Sequence, residues 1–133
     1  MNSRRISREV ALQILFQHQF RPEIDVSQSL GLYETCFLQA QDSWNYAKDL
    51  TMGVLEHLVA IDEVITKHLH NWKKERLAPV DLNVLRIAAF EMKFVTPAVP
   101  KKVVINEAVE IAKKFGSENS SAFINGVLDK LDS

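Results

Sequence analysis

Three arginines and one phenylalanine near the start of the chain are the residues whose types and spacing could do chemistry. They lie in Arg4-Arg5-Ile6-Ser7-Arg8-Glu9-Val10-Ala11-Leu12-Gln13-Ile14-Leu15-Phe16. Val10, Ala11, Ile14, Leu15 and His18 recur at helical spacing and mark an inward stripe. At about 100° per residue, Phe16 falls only about 20° around the helix from Arg5, away from the centre of that stripe. Guanidinium groups neutralise phosphate, and an aromatic face stacks an unpaired base, so the pattern suits a local RNA-binding patch. It also suits an ordinary surface helix with solvated arginines and Phe16 packed on a neighbour. On their own the residues favour this second reading.

A second candidate lies near the end, where Gly116-Ser117-Glu118-Asn119-Ser120-Ser121-Ala122-Phe123 leads from a polar loop into a helix. Free N–H groups at a helix start suit phosphate. Asn119 and Phe123 are four apart and share a face. The alternative is a capping Asn and a core Phe, and the residues alone favour it.

Catalytic chemistry finds no such support. Gly31, Gly53, Gly116 and Gly126 are isolated, which excludes a phosphate loop or dinucleotide fingerprint. His18, His57, His68 and His70 are scattered, without metal-ligand spacing. Serines cluster where helix caps explain them. Glu107 and Glu110, beside Lys113 and Lys114, read as a solvated helix face, with Glu110 and Lys114 an i, i+4 pair. The reading therefore assigns no catalytic residue, no metal and no cofactor.

The chain has 133 residues and a net charge of −1, which predicts one domain and no global positive field. Binding to RNA would rest on the local excess of Arg4, Arg5, Arg8 and Arg21 over Glu9. Cys36 is the single cysteine and reads as a buried or half-buried structural thiol. No secretory signal or membrane-length apolar run is evident, so the expected location is cytoplasmic.

The elements that must position these residues all read as helices, giving an all-α class of about seven. The first helix spans about Arg4 to Phe20, closed by Pro22. Ser27 is the expected cap of a second helix carrying Leu30, Tyr33, Phe37 and Leu38. A long stripe follows from Trp44 to about Leu69, with a break expected near Ala60 and Asp62 as a cap. Asn71 to Ala78 reads as a polar connector with one short turn. Pro79-Val80-Asp81 opens the next helix. Thr96-Pro97-Ala98-Val99-Pro100 reads as a rigid turn, and Pro100 begins a helix that Gly116 stops as a left-handed cap. The last helix runs from about Asn119 to Leu131.

Taken together, several stretches resemble the NusB family of bacterial transcription antitermination factors. They are Arg4-Arg5-x-x-Arg8-Glu9-x-Ala11-Leu12-Gln13, Asp81-x-x-Val84-Leu85-Arg86-Ile87-Ala88-x-x-Glu91, Val104-Ile105-Asn106-Glu107-Ala108-Val109-Glu110-Ile111-Ala112-Lys113-x-Phe115-Gly116 and Phe123-Ile124-Asn125-Gly126-Val127-Leu128-Asp129-Lys130. The resemblance covers essentially the whole chain, with the motifs in order. It implies one NusB-like RNA-binding domain built of two packed helical bundles, about 1–70 and about 71–133. It implies no enzymatic activity. The expected ligand is boxA, a short single-stranded element of nascent ribosomal transcripts. The expected partners are NusE, a small-subunit ribosomal protein, and RNA polymerase with other Nus factors. By the same resemblance the RNA-facing residues are Arg4, Arg5, Arg8, Phe16, Asn119 and Phe123. The basic run is thinner here, because Ile6 and Ser7 interrupt it. Many relatives carry Asp where this chain has Asn119, and a neutral side chain repels phosphate less. The NusE-facing candidates are Glu75, Arg76 and Asp81, while Asn106 and Asn125 read as structural hydrogen-bonding residues.

Two alternatives stand beside this reading. One is a NusB-like RNA-binding module of an rRNA methyltransferase, disfavoured by the lack of a Gly-rich cofactor loop and a chain ending at Ser133. The other is a structural helical adaptor, which RNA binding would exclude. Monomer and homodimer are both open to the sequence.

Overall fold

The computed structural model describes residues 3–69 and 73–131. Among them it is all-α, with seven α-helices and two 3-10 turns. His70, and Asn71 and Trp72 at the start of the expected connector, lie outside the described residues.

Helix α1 (Ser3–Phe20) buries Val10, Ala11, Ile14 and Leu15 and ends before Pro22. Helix α2 (Val26–Gly31) is capped by Asp25, whose carboxylate accepts the Ser27 N–H at 3.0 Å. Ser27, the expected cap, is thus already inside the helix. Gly31, a poor helix former, ends this short segment. Phe37 reaches the core from a separate 3-10 turn (Glu34–Phe37), and Leu38 is exposed. Cys36 is exposed too, contrary to expectation, because its turn spends Phe37 on the core.

The long stripe divides into α3 (Gln41–Glu56) and α4 (Leu58–Lys67), and the break falls at His57 instead of Ala60. The His57 N–H donates to the Gly53 carbonyl, and its ring Nδ1 lies 3.0 Å from the same oxygen. Asp62 caps nothing; it lies inside α4 and accepts from Arg86 and Lys74.

Helix α5 (Pro79–Lys93) is the central element, buried on nearly every side and packed on α1, α3, α4, α6 and α7. Gly53 matters here, since a Cβ at that position would strike the Phe90 ring. The turn after α5 contains a cis Thr96–Pro97 peptide, and the Val99 N–H returns to the Glu91 carbonyl at 3.0 Å. Helix α6 (Lys101–Phe115) and helix α7 (Ser120–Asp129) close the fold. Gly116 ends α6 in extended conformation, φ −93° and ψ −169°, not the left-handed one. Its lack of a side chain is needed for space, because a Cβ would lie 2.6 Å from Ser120 Cβ.

The main core takes residues from α1 and α3–α7, and a smaller one gathers Val10, Ile14, Leu30, Phe37 and Trp44. Helix α1 contributes to both, so whatever fixes α1 fixes the whole molecule. No helix among the described residues is long and apolar enough to cross a membrane.

Candidate nucleic-acid interface

The three arginines of α1 do three different things. Arg4 is exposed, and its guanidinium lies 3.8 Å from the centre of the Tyr46 ring on α3, a cation–π arrangement. Arg5 is half-buried and forks onto Glu107 of α6, Nε to Oε1 at 2.9 Å and Nη2 to Oε2 at 2.8 Å. Arg8 is only 5 % exposed. Its Nε and Nη2 each donate to Glu91 of α5 at 2.9 Å, and its Nη1 lies 3.5 Å from Glu107. The Tyr46 hydroxyl completes the cluster by donating to Glu91.

This geometry corrects two expectations. Arg8 does not stand on the surface beside Arg4 and Arg5, because it falls in line with Ala11, Leu12 and Leu15 on the buried stripe. Glu107 is not part of a solvated face, because it is 6 % exposed and supplies the countercharge for Arg5 and Arg8. Around it, Glu110 pairs with Lys113, while Lys114 reaches across to Glu9 of α1 at 3.0 Å.

The electrostatics follow from these contacts. The Arg5 hydrogen bonds hold the Glu107 carboxyl below its ordinary value, against the opposing pull of burial. The same hydrogen bonds raise Arg5. Burial pulls Arg8 down, but the hydrogen bonds and charge of Glu91 outweigh it and Arg8 is raised. Burial, then the Glu91 carboxylate, pushes the Tyr46 phenol up to about 12.

Phe16 lies about 17 Å farther along the same side of α1, at about 1.5 Å per residue from Arg5. It is 38 % exposed and touches Phe20, with ring centres 5.2 Å apart. It lines a hollow of about 390 Å³ with Gln13, Gln17, Tyr33, Val80 and Phe115. The carboxamide oxygens of Gln13 and Gln17 accept from Tyr33 and Ser29, which orients both side chains.

Asn119 precedes α7 but makes no side-chain cap bond. The Ser120 Oγ accepts the Ser117 N–H of the preceding loop at 2.9 Å, and the Asn119 carboxamide is left exposed. Phe123 is half-buried against the main core. These two residues share a cleft of about 290 Å³ with Arg76, Ala78, Asp81 and Ser117. The structure therefore joins Asn119 and Phe123 directly to Arg76 and Asp81. This cleft adjoins the Phe16 hollow, since Val80 and Asp81 are consecutive in α5 and Phe115 and Ser117 bracket Gly116.

Glu75 and Arg76 are exposed on the 3-10 turn Lys74–Arg76, whereas Asp81 is only 8 % exposed. Its Oδ1 is buried without a hydrogen-bond partner among the described residues. Asn106 and Asn125 are exposed and bond nothing through their side chains among the described residues, contrary to the structural role expected of them. No cluster of three or more His, Cys, Asp or Glu able to hold a metal occurs among the described residues.

Sequence reading missed Tyr46, Glu91, Glu107, Gln13, Tyr33 and Lys114. Gln13 was within reach, being three residues from Phe16 on one helix face. Tyr46 and Tyr33 carried no local signal, since only tertiary packing brings them to α1.

Comparison with known proteins agrees along the whole chain. A family profile described as the NusB family matches residues 5–133. The transcription antitermination protein NusB of Myxococcus xanthus is 41 % identical over 138 residues, covering 98 % of this chain and 95 % of that protein. The structure of T. maritima NusB superposes with a TM-score of 0.86 at 40 % identity, covering 96 % of this chain and 89 % of that one. A structure of antitermination factors NusB and NusE in complex with double-stranded RNA superposes at 0.85 with 28 % identity, covering 98 % and 96 %.

Proposed function

This chain belongs to the NusB family of transcription antitermination proteins, a non-enzymatic family, and from that premise we propose that it binds boxA RNA together with NusE. It does so on nascent ribosomal transcripts, in the cytoplasm, as part of an RNA polymerase antitermination complex with other Nus factors. Arg4 and Arg5 contact phosphate, and Phe16 and Phe123 stack on unpaired bases. Asn119 supplies a neutral hydrogen-bonding group beside Phe123. Arg8 serves the RNA through α1, by holding the helix on α5 and α6, and touches no phosphate itself. Glu75, Arg76 and Asp81 face NusE.

The observation that carries the proposal is the adjoining pair of hollows. One side of α1 presents cations at its start and a ring farther along, and the hollow beside this ring shares neighbouring stretches of chain, Val80–Asp81 and Phe115–Ser117, with the cleft that holds Phe123, Asn119, Arg76 and Asp81. RNA running along α1 therefore arrives where the partner-facing residues stand. The structural relative solved with NusE and double-stranded RNA supports the pairing of these two partners.

Titration of boxA RNA and a scrambled RNA, with and without NusE, tests this. The expected result is tighter binding of boxA with NusE present. It should be weakened for both RNAs by Arg4→Ala, and for boxA most by Phe16→Ala. Equal binding of all variants would remove α1 from the RNA surface.

A further inference from the structure

We propose that Glu107 sets how tightly the start of α1 holds RNA, by occupying Arg5 in the free protein and yielding it to an RNA phosphate on binding. This rests on the RNA-binding reading above and adds the residue that limits it.

Both carboxylate oxygens of Glu107 receive Arg5, at 2.9 and 2.8 Å, in the two-pronged arrangement that a phosphate also offers. A phosphate approaching Arg5 thus meets a guanidinium already engaged, with a negative charge behind it. It must either take those two N–H groups from Glu107 or bind at another edge of a guanidinium whose charge Glu107 already offsets. The side chain of Arg5 is 37 % exposed and that of Glu107 only 7 %, so the cation is the member of the pair able to move.

Departure of Arg5 would be prohibitive if it stranded a buried carboxylate. Arg8 prevents this. Its Nη1 stands 3.5 Å from Glu107 Oε1, and its Nε and Nη2 anchor it on Glu91. Glu107 therefore keeps one buried cation when it gives up the other. Counted together, Arg4, Arg5 and Arg8 bring three positive charges, and Glu91 and Glu107 return two negative ones. Removing the Glu107 charge frees Arg5 while the Arg8–Glu91 pair remains to hold α1 on α5. Glu110 supplies the control, because it acts on Arg5 through space alone and bonds Lys113 instead.

The test compares wild type, Glu107→Gln, Glu110→Gln, Arg5→Ala and the Arg5→Ala/Glu107→Gln double variant. Each is titrated with boxA RNA at several salt concentrations, with melting temperature as the control for folding. The expected result is several-fold tighter binding by Glu107→Gln, with a salt slope steeper by about 0.7, the value for one added phosphate contact on a single strand. Glu110→Gln should gain less, and the double variant should lose the gain. If Arg5→Ala weakens binding but Glu107→Gln equals wild type or binds less tightly, Glu107 does not limit Arg5 and the inference is overturned while the RNA surface stands. If Arg5→Ala has no effect, that part of the RNA surface is wrong and the inference falls with it. Should Glu107→Gln fail to fold, the Arg5 Nε–H resonance of the wild-type protein decides. A shift on adding RNA is expected, and an unchanged resonance under saturating RNA overturns the proposal.

Discussion

Arg8 and Glu91 meet across the α1–α5 contact as a two-pronged ion pair, 5 % and 1 % exposed, with both shorter contacts at 2.9 Å. A charge so placed cannot be left alone. Arg8→Ala removes one partner and strands the Glu91 carboxylate, which should cost about 3–5 kcal/mol of stability. Chemical denaturation measures this directly. RNA binding should fall only in proportion to the unfolded fraction, with the salt slope unchanged. Replacing the group together, as Arg8→Leu/Glu91→Leu/Tyr46→Phe, should recover much of the stability. A flattened slope in folded Arg8→Ala would make Arg8 a phosphate ligand after all.

The same cluster sets the response to pH. Glu107 is held below its ordinary value when folded, so its contribution is present above about pH 4.5 and is lost as pH falls through the lower folded value. Tyr46 titrates near 12 when folded against about 10 unfolded, so its contribution is present below pH 10 and fades between about 10 and 12. Melting temperature followed across pH should show both limbs. Glu107→Gln should flatten the acid limb and Tyr46→Phe the alkaline one. Unaltered limbs would place the titrating groups elsewhere.

Much of this was legible in the sequence, and the part that was not has a common physical cause. Apolar periodicity marked α1, α5 and α7 because each buries a continuous stripe, and Pro100 and Gly116 marked the ends of α6. Arg8 lies in register with Ala11 and Leu12, Glu91 with Ile87 and Ala88, and Glu107 with Val104 and Ile111. A charge on an apolar stripe is itself a readable sign of a buried pair. Its partner is not readable, since Arg8 and Glu91 are 83 residues apart. The break at His57 was misplaced for a related reason. It depends on a side chain folding back onto Gly53, which periodicity does not encode. The nearness of Asn119 and Phe123 to Asp81 likewise comes from packing of α7 on α5, not from any local motif.

Two glycines should respond in opposite directions to alanine. Gly53 faces the Phe90 ring across the α3–α5 contact, and an added methyl must displace it, costing about 1–3 kcal/mol. Gly126 is exposed within α7, and a Cβ there would meet nothing within 4 Å. Gly126→Ala should therefore stabilise by about 0.5–1 kcal/mol through helix propensity. Thermal unfolding distinguishes the two, and a destabilised Gly126→Ala would mean that the α7 face is not open.

Asp81 offers a test in which stability and partner binding move apart. It lies in the first turn of α5, where a negative charge contributes about 0.3–1 kcal/mol through the helix dipole. Against that, its Oδ1 is buried without a hydrogen bond, which costs about 1–3 kcal/mol. Asp81→Asn keeps a buried oxygen, and with it this cost, and gives up only the dipole contribution, so the free protein should lose no more than about 1 kcal/mol. If a charged NusE donor pairs with the carboxylate, the same variant should bind NusE less tightly, by a factor measurable in calorimetry that exceeds this small stability loss. A binding loss matched by an equal loss of melting temperature would assign Asp81 to the fold. Unchanged NusE affinity would remove it from the interface and leave Glu75 and Arg76 as the residues to examine.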